Sequence, residues 1–542
     1  VGLAATVKVC QFVHQFKDFV VKMLAENKNL LANIAIITTM INLSTNLYAN
    51  FMRAVLFLGL LCHGAASFGD ANDLPDLGDS SATVLSAHQE QRIADEIMRE
   101  VMSSDDVIND VEVTDYVQAL GNRLAASGPD KNQKFNFFVL NDKSINAFAM
   151  PGGVIGVHTG LVLAANNESE VAGVLGHEIG HVVQHHMARM FAQQKQDSII
   201  NMVGMAAAIL VARGSPQLAS GALTASMANG VQKRLDYTRD YEREADRVGM
   251  QILEKAGFDT HSMATFFETL QKGSRFAEGN SPSFLRTHPL TAERIADVKS
   301  RESAANFKML SYSPDFDYVK AKLVANLSSP VLAIDVFKGN LDQKKYNNEP
   351  SQHYGLALAY LRKNDLASVS KEMQWLQQNA PKHVMFAVLA ANIEVAKNRP
   401  EYAAKAYLAG LGDYPVNRAL IYGYAEHLIR TNQLDNALTF IESKQSLYPE
   451  DPSFYELKAR VYTMQGKNLL RHQAQGEEYY RRYNLPKAIE QMEFATKAGD
   501  GDFYQQSIVE ARLKAFKQQV VEPEKKGFFG GLDKSTQCQA CA

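Results

Sequence analysis

Asn167-Glu168-Ser169-Glu170-Val171-Ala172-Gly173-Val174-Leu175-Gly176-His177-Glu178-Ile179-Gly180-His181 is the stretch on which the reading turns. Asn167 with Glu170 three residues on makes a capping-box-like start, and the run behind it predicts a long helix. On that helix His177 and His181 are four residues apart, so both imidazoles leave one face and can share a metal ion. Glu178 is turned by one residue, where its carboxylate reaches water on that metal. Zinc lowers the pKa of such water toward neutrality, and Glu178 then serves as general base and later as proton donor to a leaving amine. The expected chemistry is peptide-bond hydrolysis with one zinc ion per chain.

Two histidines leave a catalytic zinc one protein ligand short. His185 continues the stripe but sits about 12 Å along the helix from His177, too far to share one ion. His186 reads as a solvent or packing residue. The better candidate is Glu242, in Glu242-Arg243-Glu244-Ala245-Asp246. Asp246, one turn beyond it on the same face, can accept a hydrogen bond from a zinc histidine and fix its tautomer. Ala245 is small enough to let two helices approach. The competing reading of this run is a charged solvent face, and taken alone it is weak evidence. Zinc is favoured over cobalt or manganese by a ligand set of two histidines and one glutamate.

Ala87 to about Leu124 reads as helical, with Ile93, Ile97 and Val101 at spacings of four. Phe135–Leu140 and Gly152–His158 are strand candidates, Pro151-Gly152-Gly153 turning into the second. Val154, Ile155, Gly156 and Val157 are expected to form an exposed edge beside the active-site helix, pairing with an extended substrate peptide. The segment 199–212 is apolar and rich in Ala and Gly. A buried helix or hairpin is the preferred reading, and peripheral contact with a membrane or a partner is the other. The catalytic unit is expected over 87–307, with a connecting segment over 308–345.

Beyond it, prolines 381, 415 and 449 recur every 34 residues, with aromatic and small residues between them. That period predicts tetratricopeptide repeats over 346–515, helix pairs stacked into a superhelix with a concave binding face. The fold class is therefore an α+β zincin-like metallopeptidase domain followed by an all-α repeat superhelix. Residues 516–542, Lys- and Gly-rich after Pro523, read as a disordered tail.

A length of 542 residues fits two to four units, and the net charge of −3 gives no nucleic-acid footprint. The four cysteines make no disulfide framework, and Cys538 and Cys541 read as a small local disulfide or an inert tail. Met52-Arg53, the apolar run 54–61 and small residues Ala65, Ala66 and Ser67 read as a cleaved secretory signal over 52–67, followed by a linker over 68–86. Residues 1–51 precede it. Translation from Met52 is the preferred account, and a membrane anchor the alternative.

HEIGH followed by EREAD resembles the HtpX/CAAX-protease type of zinc metallopeptidase, and Leu74-Pro75-Asp76-Leu77-Gly78, Asn146-Ala147-Phe148-Ala149, the run Pro151–Leu161 and Arg286-Thr287-His288-Pro289-Leu290 narrow the resemblance. More closely, the chain is similar to the periplasmic beta-barrel assembly-enhancing protease group, which joins that catalytic domain to C-terminal tetratricopeptide repeats. The resemblance covers roughly residues 73–515. It implies zinc on His177, His181 and Glu242, general base chemistry at Glu178 and support from Asp246. It also implies a regulatory fourth ligand at His288, occupying the open metal position at rest; the bland alternative is a loop residue fixed by Pro289. Arg286 could stabilise the oxyanion, a role that can be worth about 3 kcal/mol, or form a structural ion pair. Implied clients are unfolded or misassembled outer-membrane proteins, with the barrel-assembly machinery engaged through the repeats. The competing function is a chaperone or adaptor with proteolysis secondary.

Overall fold

The computed structural model describes residues 87–192, 239–276, 284–285, 288–302 and 313–525. Residues 1–86, Arg286, the segment 199–212 and the Cys538/Cys541 pair lie outside them. The N-terminal helical stretch is two helices, α1 (Ala87–Ser103) and α2 (Val111–Ala126). The break comes at Asp110, whose side chain accepts the Glu112 and Val113 N–H groups and so starts α2 afresh.

Three strands follow: β1 (Asn136–Leu140), β2 (Ala147–Met150) and β3 (Val154–His158), in the order β1-β3-β2. β1 runs parallel to β3 and β2 antiparallel to it. The tight return between β2 and β3 uses Gly152 and Gly153 at φ 73° and 80°, a backbone region glycine enters without strain. This order corrects the expectation for Val154, Ile155, Gly156 and Val157. They lie on the central strand, buried, with both sides of the backbone already paired, and cannot accept a peptide. The strand at the end of the sheet order beside the candidate site is β2.

The catalytic region continues through α3 (Thr159–Ala164), α4 (Glu168–Val183), α5 (His186–Ala192), α6 (Arg239–Ala256), α7 (His261–Phe276) and α8 (Ala292–Glu302). α4 is the axis of this region, packing on α6, α2, α7 and β2, and its residues Glu170 to His181 are buried throughout.

The segment 308–345, expected as a connection, contains α9 (Asp315–Leu327) and α10 (Pro330–Gln343). Helix pairs follow as α11 (Glu349–Arg362) with α12 (Leu366–Asn379), α13 (Val384–Ala396) with α14 (Pro400–Asp413), and α15 (Arg418–Arg430) with α16 (Leu434–Gln445). The last two pairs are α17 (Pro452–Gln465) with α18 (Asn468–Arg481), and α19 (Leu485–Lys497) with α20 (Phe503–Lys525). The turns inside the first four pairs carry a left-handed residue at Asn364, Asn398, Asn432 and Gly466. Asparagine and glycine tolerate that conformation, so the 34-residue period is written in the turns as well as in the prolines. The helical part also outlasts the expected start of the tail: Phe516 is fully buried and stacks on Tyr480 at 4.7 Å.

The described residues belong to one compact unit. A single apolar core runs from Val113 and Val117 of α2 through Val171 and Leu175 of α4 to Tyr354 and Phe386 of the repeats. Charge joins the same parts: Lys322 of α9 pairs with Glu112 and, at 2.7 Å, with Asp110. Further along, Arg418 of α15 pairs with Asp115 of α2 and reaches Asp451 at 2.8 Å. Helix α2 thus has the candidate-site helix α4 against it and repeat helices against it too.

Candidate metal centre

Glycine sets how closely the two helices of the site approach. A Cβ on Gly180 of α4 would lie 2.9 Å from the Ala245 carbonyl oxygen, and one on Gly249 of α6 would lie 2.9 Å from the His177 nitrogen. Real Cβ atoms do not come that near backbone, so both positions require glycine to hold the axes this close. Gly249→Val is expected to push α6 off α4, costing about 1–3 kcal/mol as overpacking does. It should also loosen metal binding, because Glu242 rides on α6; denaturant unfolding and metal content of the purified variant check both.

At this crossing four side chains converge. His177 Nε2 lies 3.0 Å from His181 Nε2 and 3.5 Å from Glu242 Oε2, while His181 Nε2 lies 3.4 Å from Glu242 Oε1. His288, which enters just before α8, places Nδ1 3.1 Å from Glu242 Oε1 and 3.4 Å from His177 Nε2. One ligand atom from each of the four lies within 4.8 Å of the others, and all four residues are buried. The His288 ring stacks on Phe284 at 4.7 Å, and the Phe284 N–H donates to the Ile145 carbonyl at 3.1 Å, which ties this segment to the approach to β2.

Asp246 Oδ1 lies 2.9 Å from His177 Nδ1, which keeps that nitrogen protonated and aims Nε2 at the cluster. Burial works against a His177 imidazolium, but Asp246 and Glu242 outweigh it and push its pKa up to about 10. Burial pushes His181 down to about 3. Burial also opposes the Glu242 carboxylate, yet the surrounding imidazoles hold its pKa well below the usual range. Two imidazoles facing each other through Nε2 with one proton between them is the arrangement a divalent cation replaces, releasing that proton. The donor set of imidazole nitrogens and one carboxylate is the set a catalytic zinc takes. The residues fit the ion.

Glu178 is fully buried, and neither carboxylate oxygen has a hydrogen-bond partner of ordinary geometry among the described residues. His288 Nε2 stands 3.5 Å from its Oε1. Burial raises the Glu178 pKa above that of an exposed carboxyl, a direction that suits a base working near neutrality.

Two groups escaped the sequence reading. Arg294 of α8 is 2% exposed and grips Asp246 through Nε at 2.7 Å and Nη2 at 2.8 Å. Its Nη1 stands 2.6 Å from Glu242 Oε2 and donates to the Pro289 carbonyl at 2.9 Å. A signal existed: Arg294 and Val298 are one turn apart on the inward face of α8, where an arginine needs buried acids. The second is His186, read from sequence as a solvent or packing residue. It is fully buried, its Nδ1 2.8 Å from His181 Nδ1. The reason is His185, whose φ of 50° ends α4 and turns the chain back. Burial first, then neighbouring His181, pushes the His186 pKa down to about 3. His185 itself points elsewhere, 3.5 Å from Glu90.

Comparison with known proteins is consistent with this geometry. The model of Peptidase family M48 matches residues 112–302. A beta-barrel assembly-enhancing protease of Escherichia coli O157:H7 is 31% identical over 461 residues, covering 84% of this chain and 93% of that protein. A putative beta-barrel assembly-enhancing protease of Vibrio cholerae is 31% identical over 433 residues, covering 79% of this chain and 89% of the other. Mitochondrial metalloendopeptidase OMA1 of Schizosaccharomyces pombe is 30% identical over 213 residues, covering 39% of this chain and 60% of that one.

Proposed function

Because the chain belongs to the beta-barrel assembly-enhancing protease group of peptidase family M48, we propose that its zinc endopeptidase activity is exerted in the periplasm on outer-membrane proteins stalled during assembly. The observation that carries the site assignment is the convergence of His177, His181 and Glu242 beside the buried Glu178 carboxylate. Those three residues would hold the zinc. When bound, zinc supplies Lewis acidity, acidifying water and polarising a carbonyl. Glu178 takes a proton from the attacking water and returns it to the departing amine nitrogen. Asp246 holds the His177 ring in register, and Arg294 holds Asp246 and Glu242 in place.

Substrate would reach this group along β2. As an end strand, Ala147–Met150 can extend the sheet by one strand with backbone hydrogen bonds, a mode that gives affinity with little sequence preference. That suits an enzyme whose clients share misfolding rather than a motif. The repeats would recruit the client or the assembly machinery. Among the described residues no helix is long and apolar enough to cross a membrane.

His288 would occupy the open ligand position at rest and leave as substrate enters. The test is metal content and casein cleavage of purified wild type beside His288→Ala. About one zinc per chain in both, with cleavage several-fold faster in the variant, is the expected result; no zinc in wild type would overturn the site assignment. One observation favours a second reading, an adaptor whose protease is mostly shut: His177, Glu178, His181 and His288 are all buried. An inactive Glu178→Gln protein that still restored outer-membrane assembly in cells lacking the wild type would support the adaptor.

A further inference from the structure

The two histidines of the HExxH run are oriented by chemically different groups. His177 Nδ1 faces a carboxylate, Asp246 Oδ1, at 2.9 Å. His181 Nδ1 faces another imidazole, Nδ1 of His186, at 2.8 Å. Two nitrogens at that distance require one proton between them, so one ring donates and the other accepts. If His181 is to offer the Nε2 lone pair to an ion, its proton must sit on Nδ1. His186 Nδ1 must then be the acceptor, which puts the His186 proton on Nε2. An acceptor stands there: Glu244 Oε2, 3.2 Å away and itself held by Arg189 Nη1 at 3.0 Å.

The surroundings fix His186 in this orientation. Its ring is fully buried and stacks on Tyr241 at 4.7 Å and 17°, with the Arg189 guanidinium 4.8 Å from the same tyrosine ring. Tyr241 and Glu244 flank Glu242 on α6, so the helix that brings the carboxylate ligand also brings the groups that hold His186.

We propose that His186, backed by Glu244, is a positioning residue for the metal site: it accepts the His181 Nδ1 proton and thereby keeps the Nε2 lone pair aimed at the ion. The proposal rests on His181 being a zinc ligand. Loss of such an outer partner typically weakens metal affinity about 10–100-fold. A neutral imidazole also draws less on the His181 proton than a carboxylate does on that of His177, so His181 is the ligand more dependent on its support.

The test uses the full chain and reads zinc affinity by competition with a chromophoric chelator, apart from any peptidase assay. His186→Phe keeps a ring against Tyr241 and removes both nitrogens. His186→Gln keeps an oxygen to accept from His181 and an amide to donate to Glu244. The expected result is zinc binding about 10–100-fold weaker in the phenylalanine variant and largely restored in the glutamine variant. Wild-type affinity in His186→Phe overturns the proposal while leaving the zinc site intact. Absence of zinc binding by wild type overturns the site assignment itself. Should His186→Phe fail to fold, Glu244→Ala decides at a partly exposed position: several-fold weaker zinc binding supports the relay, and unchanged binding overturns it.

Discussion

Replacing Glu178 with glutamine should abolish casein cleavage, lowering kcat by at least about 10²–10⁴-fold, while the protein keeps about one zinc per chain. The amide has nearly the shape of the carboxylate but cannot take a proton from water. Glu178 is also buried, and burial outweighs the pull of His288 and the Ala149 backbone on its charge, so a neutral amide of the same shape suits that space. Folding stability should hold or rise slightly. Single-turnover cleavage, metal analysis and a denaturant midpoint on the same preparation separate these effects. Cleavage near the wild-type rate, with zinc present, would remove Glu178 from the chemistry.

The second large effect is on stability. Arg294→Met should destabilise the protein by about 3–5 kcal/mol, the cost of leaving buried acids without their cation. The guanidinium meets Asp246 through two hydrogen bonds and lies 2.6 Å from Glu242, with only 2% of its surface exposed. Methionine fills much of the volume, so the loss reports charge rather than a cavity. Excess zinc should recover part of the midpoint shift, since the ion neutralises Glu242 and leaves Asp246 to His177 alone. A shift under about 1 kcal/mol would mean that Arg294 is not the counter-charge of the site.

The legible parts were those written in local periodicity. His177, Glu178 and His181 stand on one turn of one helix, and Glu242 with Asp246 on one turn of another, so spacing alone gives their common faces. The repeats were legible because 34 residues recur whatever the chain does elsewhere. The strand order was not: Ala147-Phe148-Ala149-Met150 is all buried and shows no alternation, and which strand ends a sheet depends on partners distant in sequence. His186 is the packing residue of the two readings offered, but its approach to His181 was not legible, because the chain leaves the helix at His185. Arg294 carried no local signal of its partners, because its two acids lie 48 and 52 residues earlier and meet it only after folding.

Helix α2 also sets an order of contacts for a chain that emerges N-terminus first. Its Asp115 waits 303 residues for Arg418. The surface around Asp115 has no partner from the repeats until those residues have followed. The late contact there is an ion pair, so a charged, well-hydrated group stays exposed in the interval and the growing chain is less prone to stick to its neighbours. Val113 and Val117 of the same helix belong to the apolar core it shares with α4, which is made within about seventy residues of α2.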